Sequence, residues 1–78
     1  MKNQKYVMLP TGPVVIPEYM NHSDVDPHRV ATSAGFMRIV PDENRVVVWG
    51  DSLTLGLRHN KKDDEVKLTV MFCEMDLY

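Results

Sequence analysis

Apolar residues in this chain fall into short runs broken by proline, glycine and acidic turns, a rhythm closer to strands than to long helices. Residues 6–9 and 14–16 are β-prone and are separated by "PTGP", where Gly12 permits a positive φ and the prolines restrict pairing at the strand ends. This predicts an irregular hairpin at a sheet edge. Residues 36–40 and 45–49 are apolar or β-branched and are joined by "PDEN", with Pro41 suited to the second corner of the turn. They form the clearest hairpin in the sequence.

Between these hairpins, "DPHRVATSAG" carries helix punctuation. Asp26 is a suitable N-cap, Pro27 fits the first helical position and Gly35 fits the position after the last turn. A short helix is predicted over 27–34, with Val30, Ala31 and Ala34 facing inward. After Trp49, Gly50 and Asp51 suggest a tight connection in which Gly50 takes a positive φ. A strand is predicted over 52–57, because Leu53, Leu55 and Leu57 alternate with Ser52, Thr54 and Gly56. The tail, 63–76, fits two periods. Val66, Leu68, Val70 and Phe72 alternate as in a strand, whereas Val66, Val70, Cys73 and Leu77 share a helical stripe. Asp63, Asp64 and Glu65 at its start complement a helix dipole and Asn60 is an acceptable cap, whereas the β-branched Val66, Thr69 and Val70 favour a strand, so the residues alone lean only slightly to helix. The class that follows is α+β: a small antiparallel sheet of four to five strands with one or two helices packed on one face, in a single domain over 1–78.

Two resemblances bear on function. The succession "HSDVDPHRVATSAGFMRI", "VWGDSLTLGL" and "KKDDEVKL" resembles short uncharacterised proteins encoded by phages and bacteria, over residues 22–70 and chiefly through "SAGF" and "G-x-S-x-T-L-G-L". It implies a helix after the acidic cluster and no particular activity. Separately, "GDSLT" at 50–54 resembles the first motif of the SGNH hydrolases, which implies Ser52 as a nucleophile. A serine hydroxyl needs a base to take its proton. No histidine follows His59, the Asp-x-x-His spacing of that family occurs nowhere in the chain, and only 26 residues follow Ser52 in a chain of 78. Gly50 and Asp51 are therefore better read as turn residues, and Ser52 as a catalytic serine is the alternative.

A second candidate lies in "HSDVDPH", where His22, Asp24, Asp26 and His28 recur at every second position. Two imidazoles and two carboxylates on one side of an extended loop suit zinc or another divalent ion. The competing reading gives Asp26 to helix capping, places His28 in the first turn and leaves His22 and Asp24 solvated in the loop. No cofactor is implied by any motif.

Composition narrows the field further. With 44% hydrophobic and 26% charged residues the chain has the makeup of a folded protein. A formal charge of −2 argues against nucleic acid as a partner, and the basic run "RHNKK" runs directly into three acidic residues. Three prolines interrupt the apolar stretch near the amino terminus, so no membrane span is drawn there, and the single cysteine points to a reducing, cytoplasmic setting. A chain of this length buries only about 60% of the surface exposed on unfolding. The apolar tail "VMFCEMDLY" is then expected to meet another protein or a second copy in a homodimer, with Met71, Phe72 and Met75 at the contact. The reading as a whole is of a non-enzymatic binding or accessory protein, with a divergent hydrolase or a metal-binding protein as the rival.

Overall fold

The computed structural model describes residues 3–72. Strands β1 (Gln4–Leu9), β2 (Gly12–Ile16), β3 (Ser33–Val40) and β4 (Arg45–Trp49) form an antiparallel sheet in the order β2-β1-β3-β4. Two further short strands, β5 (Asp51–Ser52) and β6 (Leu57–Arg58), pair with each other, and α1 (Lys61–Phe72) packs on the larger sheet. The α+β class predicted from the sequence is the one observed.

Both expected hairpins are present. In the first, Gly12 lies opposite Leu9 with φ +128°, a backbone state that glycine reaches most easily, and Pro13 is tolerated because β2 is an edge strand. In the second, Pro41–Glu43 makes one 3-10 turn, and Asn44 closes it in the left-handed region while its amide donates to the Pro41 carbonyl at 3.1 Å.

Strands β1 and β3 lie inside the sheet and are covered on both faces, so Tyr6, Val7 and Met8 are buried in succession. One face gathers Tyr6, Met8, Met37, Val46 and Val48 beneath Leu68 of α1, with Val15, Ile39 and Phe72 around them. The other gathers Val7, Ala34 and Leu55, flanked by Leu9, Val25, Ala31 and Leu57. Burial of each large aliphatic side chain contributes roughly 1.5–3 kcal/mol.

Helix α1 is attached mainly by polar side chains. Asp64 is buried, and its Oδ2 accepts hydrogen bonds from the Tyr6 hydroxyl at 2.5 Å and from the Asn60 amide at 2.9 Å. Glu65 Oε2 accepts the Val48 amide at 2.9 Å, and Thr69 Oγ1 accepts the Val46 amide at 3.0 Å. Positions four apart on a helix lie one above the other, and alternate strand amides point the same way. Glu65 and Thr69 therefore match two outward amides of the edge strand β4. This anchoring turns Asp64 and Leu68 inward and leaves Val66 and Val70 61% and 45% exposed. The valine stripe noted in the sequence is the outer face of α1, Met71 is also exposed, and Phe72 packs against the core. Met75, with Cys73 and Leu77, lies outside the described residues.

Two predicted elements are corrected. No helix forms over 27–34. His22–Val25 is a 3-10 turn, Arg29 is left-handed at φ +54°, and β3 begins at Ser33. Gly35 does not terminate a helix; it is buried in β3, where an added Cβ would stand 2.6 Å from the Trp49 carbonyl oxygen and 3.1 Å from His59 Cβ. Close approach of the chain after β4 is what requires glycine there. The predicted strand over 52–57 is instead a hairpin: Ser52 ends β5, the chain turns through 53–56, and Leu57 begins β6. Gly56 closes that turn at φ +67°, and its amide donates to the Ser52 carbonyl at 2.8 Å. Gly50 takes the expected positive φ, +76°, with the Phe36 ring 2.9 Å from where its Cβ would stand.

The Tyr6–Asp64 bond makes a prediction about alkaline stability. Burial first, and the bond to Asp64 second, push the Tyr6 phenol well above its ordinary value near 10. The folded state therefore holds a proton that the unfolded chain releases above about pH 10. This contribution is complete below that pH and is lost as pH rises, at up to about 1.4 kcal/mol per unit. Urea melts followed by circular dichroism between pH 8 and 11.5 should show this decline. Tyr6→Phe should flatten it and lower stability at pH 8 by about 1.5–3 kcal/mol, since a buried carboxylate loses a donor.

Candidate functional site

Ser52 is held within the turn of the β5–β6 hairpin. Its side chain is 2% exposed, and its Oγ accepts the Leu55 amide at 3.2 Å and lies 3.3 Å from Thr54 Oγ1. Both contacts hold the 53–56 turn, the local role of a serine that starts a tight loop. The nearest histidine in sequence, His59, is engaged elsewhere: both its Nδ1 and its backbone amide donate to the Gly50 carbonyl, at 2.7 Å and 3.2 Å. Among the described residues no imidazole is hydrogen-bonded to the Ser52 hydroxyl.

The alternating set at 22–28 is dispersed by its backbone. His22 is buried, and its Nε2–H donates to the Gly35 carbonyl at 2.8 Å. Asp24 is exposed and accepts the Asn21 amide at 3.1 Å, closing the 3-10 turn. Asp26 is 2% exposed, with Oδ1 and Oδ2 accepting the Val30 and Ala31 amides at 2.9 Å and 3.0 Å. It does bind free amides, as its sequence context suggested, but those amides belong to a loop. His28 is exposed. Alternate residues share one side only in an extended chain, and a 3-10 turn sends them apart. Among the described residues no group of three or more His, Cys, Asp or Glu side chains is arranged to hold a metal.

A candidate site lies where segments distant in sequence meet. A cavity of about 270 Å³ is lined by Lys5 of β1, Asn21 and His22 of the 3-10 turn, Phe36 of β3, Asp51 of β5, and Leu53 and Thr54 of the hairpin turn. Its apolar wall is held firmly. Phe36 stacks on Trp49 at 6.2 Å between centroids and 19° between planes, and His22 meets Phe36 edge-on at 5.8 Å and 86°. Such pairs contribute about 0.5–1.5 kcal/mol beyond burial. Lys5 Nζ donates to the Met20 carbonyl at 2.7 Å and lies 5.9 Å from the Phe36 centroid. Leu53, which lines the cavity from the hairpin turn, is 91% exposed.

A larger hollow of about 520 Å³ lies between Asn3, Gln4, Pro17, Glu18 and Tyr19. None of these side chains is buried and only Glu18 is charged, so this hollow has no opposed charges to select a ligand. The smaller cavity combines a fixed cation, a carboxylate, a buried imidazole and a rigid aromatic wall. Its members come from four separate segments with no common spacing, and sequence reasoning did not find it. The exposure of Leu53 and the packing of Phe36 beside Gly50 arise only in the fold, so no local signal in the sequence reports them.

No family model matches the chain, and neither a curated protein nor a solved structure shows significant similarity to it. Among the described residues no helix is long and apolar enough to cross a membrane.

Asp26 carries a prediction that separates loop closure from metal binding. Asp26→Ala should lower stability by about 1–3 kcal/mol, because the Val30 and Ala31 amides lose the carboxylate that closes the loop. His28→Ala should change it by no more than about 0.5 kcal/mol, since that side chain is exposed. Urea midpoints of the two variants in a buffer containing a chelator would check both values.

Proposed function

We infer that this protein is a small non-enzymatic binding or accessory protein whose working surface is the cavity bounded by Lys5, His22, Phe36 and Asp51, with Leu53 at its rim. The single observation that carries this reading is the pairing of a preformed, rigidly walled cavity with a serine whose hydroxyl is engaged in its own turn. A nucleophile must reach both substrate and base. Ser52 is sealed from the first and bonded to none of the three histidines. The cavity, by contrast, has convergent polar groups on a firm scaffold, which is what ligand recognition requires.

The direct test is a panel of activated esters with wild type and Ser52→Ala. Wild type should give no turnover above buffer. The substitution should only loosen the hairpin, lowering stability by about 0.5–1.5 kcal/mol. Turnover that disappears with the serine would overturn the reading in favour of a hydrolase.

A second reading, self-association, rests on the outer face of α1, where Val66, Val70 and Met71 are 61%, 45% and 39% exposed. The sheet edges are poor candidates for such a contact, because α1 closes β4 and Pro13 interrupts β2. Contact through the helix should appear in light scattering as a mass that rises with concentration and falls again in Val66→Glu. A monomer mass up to the high micromolar range would discard it.

A further inference from the structure

We propose that the cavity between β1, the 3-10 turn and the β5–β6 hairpin binds a small zwitterion, a free α-amino acid or a compound with the same juxtaposed ammonium and carboxylate; this rests on the reading of the protein as a binding protein. The cavity has two formally charged lining residues, Lys5 and Asp51, of opposite sign. Lys5 is held in place by the Met20 carbonyl, which takes one of its three ammonium hydrogens and leaves two for a ligand carboxylate. Asp51 lies opposite Arg58 in the β5–β6 register, yet the two form no ion pair, and the Asp51 carboxylate has no hydrogen-bond partner among the described residues. Its acceptors are available for a ligand ammonium.

Size agrees with charge. A volume near 270 Å³ corresponds to a space about 8 Å across. An ammonium and a carboxylate on one carbon, with a charge-assisted hydrogen bond of roughly 2.8 Å at each end, span a similar length. His22 supplies a further polar group. Its Nε2–H is committed to Gly35, and no buried side-chain nitrogen or oxygen among the described residues lacks a partner. Its Nδ1 therefore retains an open surface, and the cavity is the space that His22 lines. Thr54 and Asn21 add hydroxyl and amide groups, and Phe36 and Leu53 supply apolar contact for a ligand side chain.

Other ligand classes fit less well. A simple anion would meet the Asp51 carboxylate, and a simple cation would meet Lys5. A nucleobase needs a free aromatic face, but Phe36 is already flanked by Trp49, Lys5 and His22. A zwitterion satisfies both charges at once, and each charge then contributes to selection against molecules that lack the other.

The test is a 15N-NMR titration of the wild-type chain with glycine, L-serine and L-leucine, alongside the N-acetyl and amide forms of each. Fluorescence of Trp49, the single tryptophan, gives a second readout through its stack on Phe36. The free amino acids should give saturable shifts centred on residues 5, 21–22, 36 and 51–54. Either blocking group should weaken binding by about tenfold or more, the size expected for loss of one charge-assisted contact. Lys5→Met and Asp51→Asn, each first checked for an unchanged circular dichroism spectrum, should weaken it to a similar degree. Absence of saturable shifts up to about 20 mM, where affinity would be negligible, would overturn the proposal. So would blocked derivatives that bind as well as the free forms, a result that leaves the binding-protein reading standing. Serine-dependent ester turnover is the separate result that removes that reading.

Discussion

The hydrogen bond between Tyr6 and Asp64 ties the two halves of the fold together. It joins a fully buried phenol in a central strand to a carboxylate in the first turn of the only α-helix among the described residues. A buried carboxylate is costly unless its oxygens are occupied, and Asp64 meets that requirement with one phenol and one backbone amide. The Asn60 bond caps the start of α1, and the Tyr6 bond orients the helix on the sheet. Once they are made, Leu68 faces the sheet and Glu65 and Thr69 fall beside β4. A helix with little apolar amphipathicity is thus oriented by its acidic residues, and the valines that look like a core stripe end up outside.

That outcome explains which features could be read from the sequence. The 36–49 hairpin was legible because Pro41 and Asn44 are turn formers at the places where the turn needs them, and the flanking residues pack as strands. The tail helix was legible from its acidic start and Asn60, whose side chain does accept the Asp63 amide at 3.4 Å. The segment 26–35 misled for a physical reason: a capping aspartate, a proline and a terminal glycine are equally the parts of a loop. Here Asp26 binds amides four and five residues onward around a left-handed Arg29, and the small residues Ser33, Ala34 and Gly35 serve close packing in a strand. At 52–57 the alternation of leucines was real but the strand was not. A tight turn also separates alternate residues, leaving Leu53 exposed and Leu55 buried.

The candidate cavity shows the limit of motif reasoning in another way. The residues that spell a catalytic word, Ser52 and its neighbours, build a turn, and that turn forms one wall of a site whose other walls come from β1, β3 and the 3-10 turn. His22 illustrates the shift. As a member of an alternating acidic and imidazole set it suggests a metal ligand. In the fold it braces the Gly35 carbonyl and the Phe36 ring from below the cavity. Nothing in local spacing reports such a role, because it depends on the path of the chain after Trp49, which crosses over Gly35.

The closure of β4 by α1 has a kinetic consequence. Beyond Arg45, "RVVVW" is apolar, rich in β-branched valine and free of proline, the composition that templates intermolecular sheets when its edge is bare. The amides at Val46 and Val48 are occupied by side chains of a short helix and not by another strand. A helix of this length can detach without the sheet unfolding, in the manner of a sub-global opening. Resistance to aggregation in this chain is therefore set by how often α1 lifts from the sheet, and a protein with ample global stability can still be vulnerable if that one door swings freely.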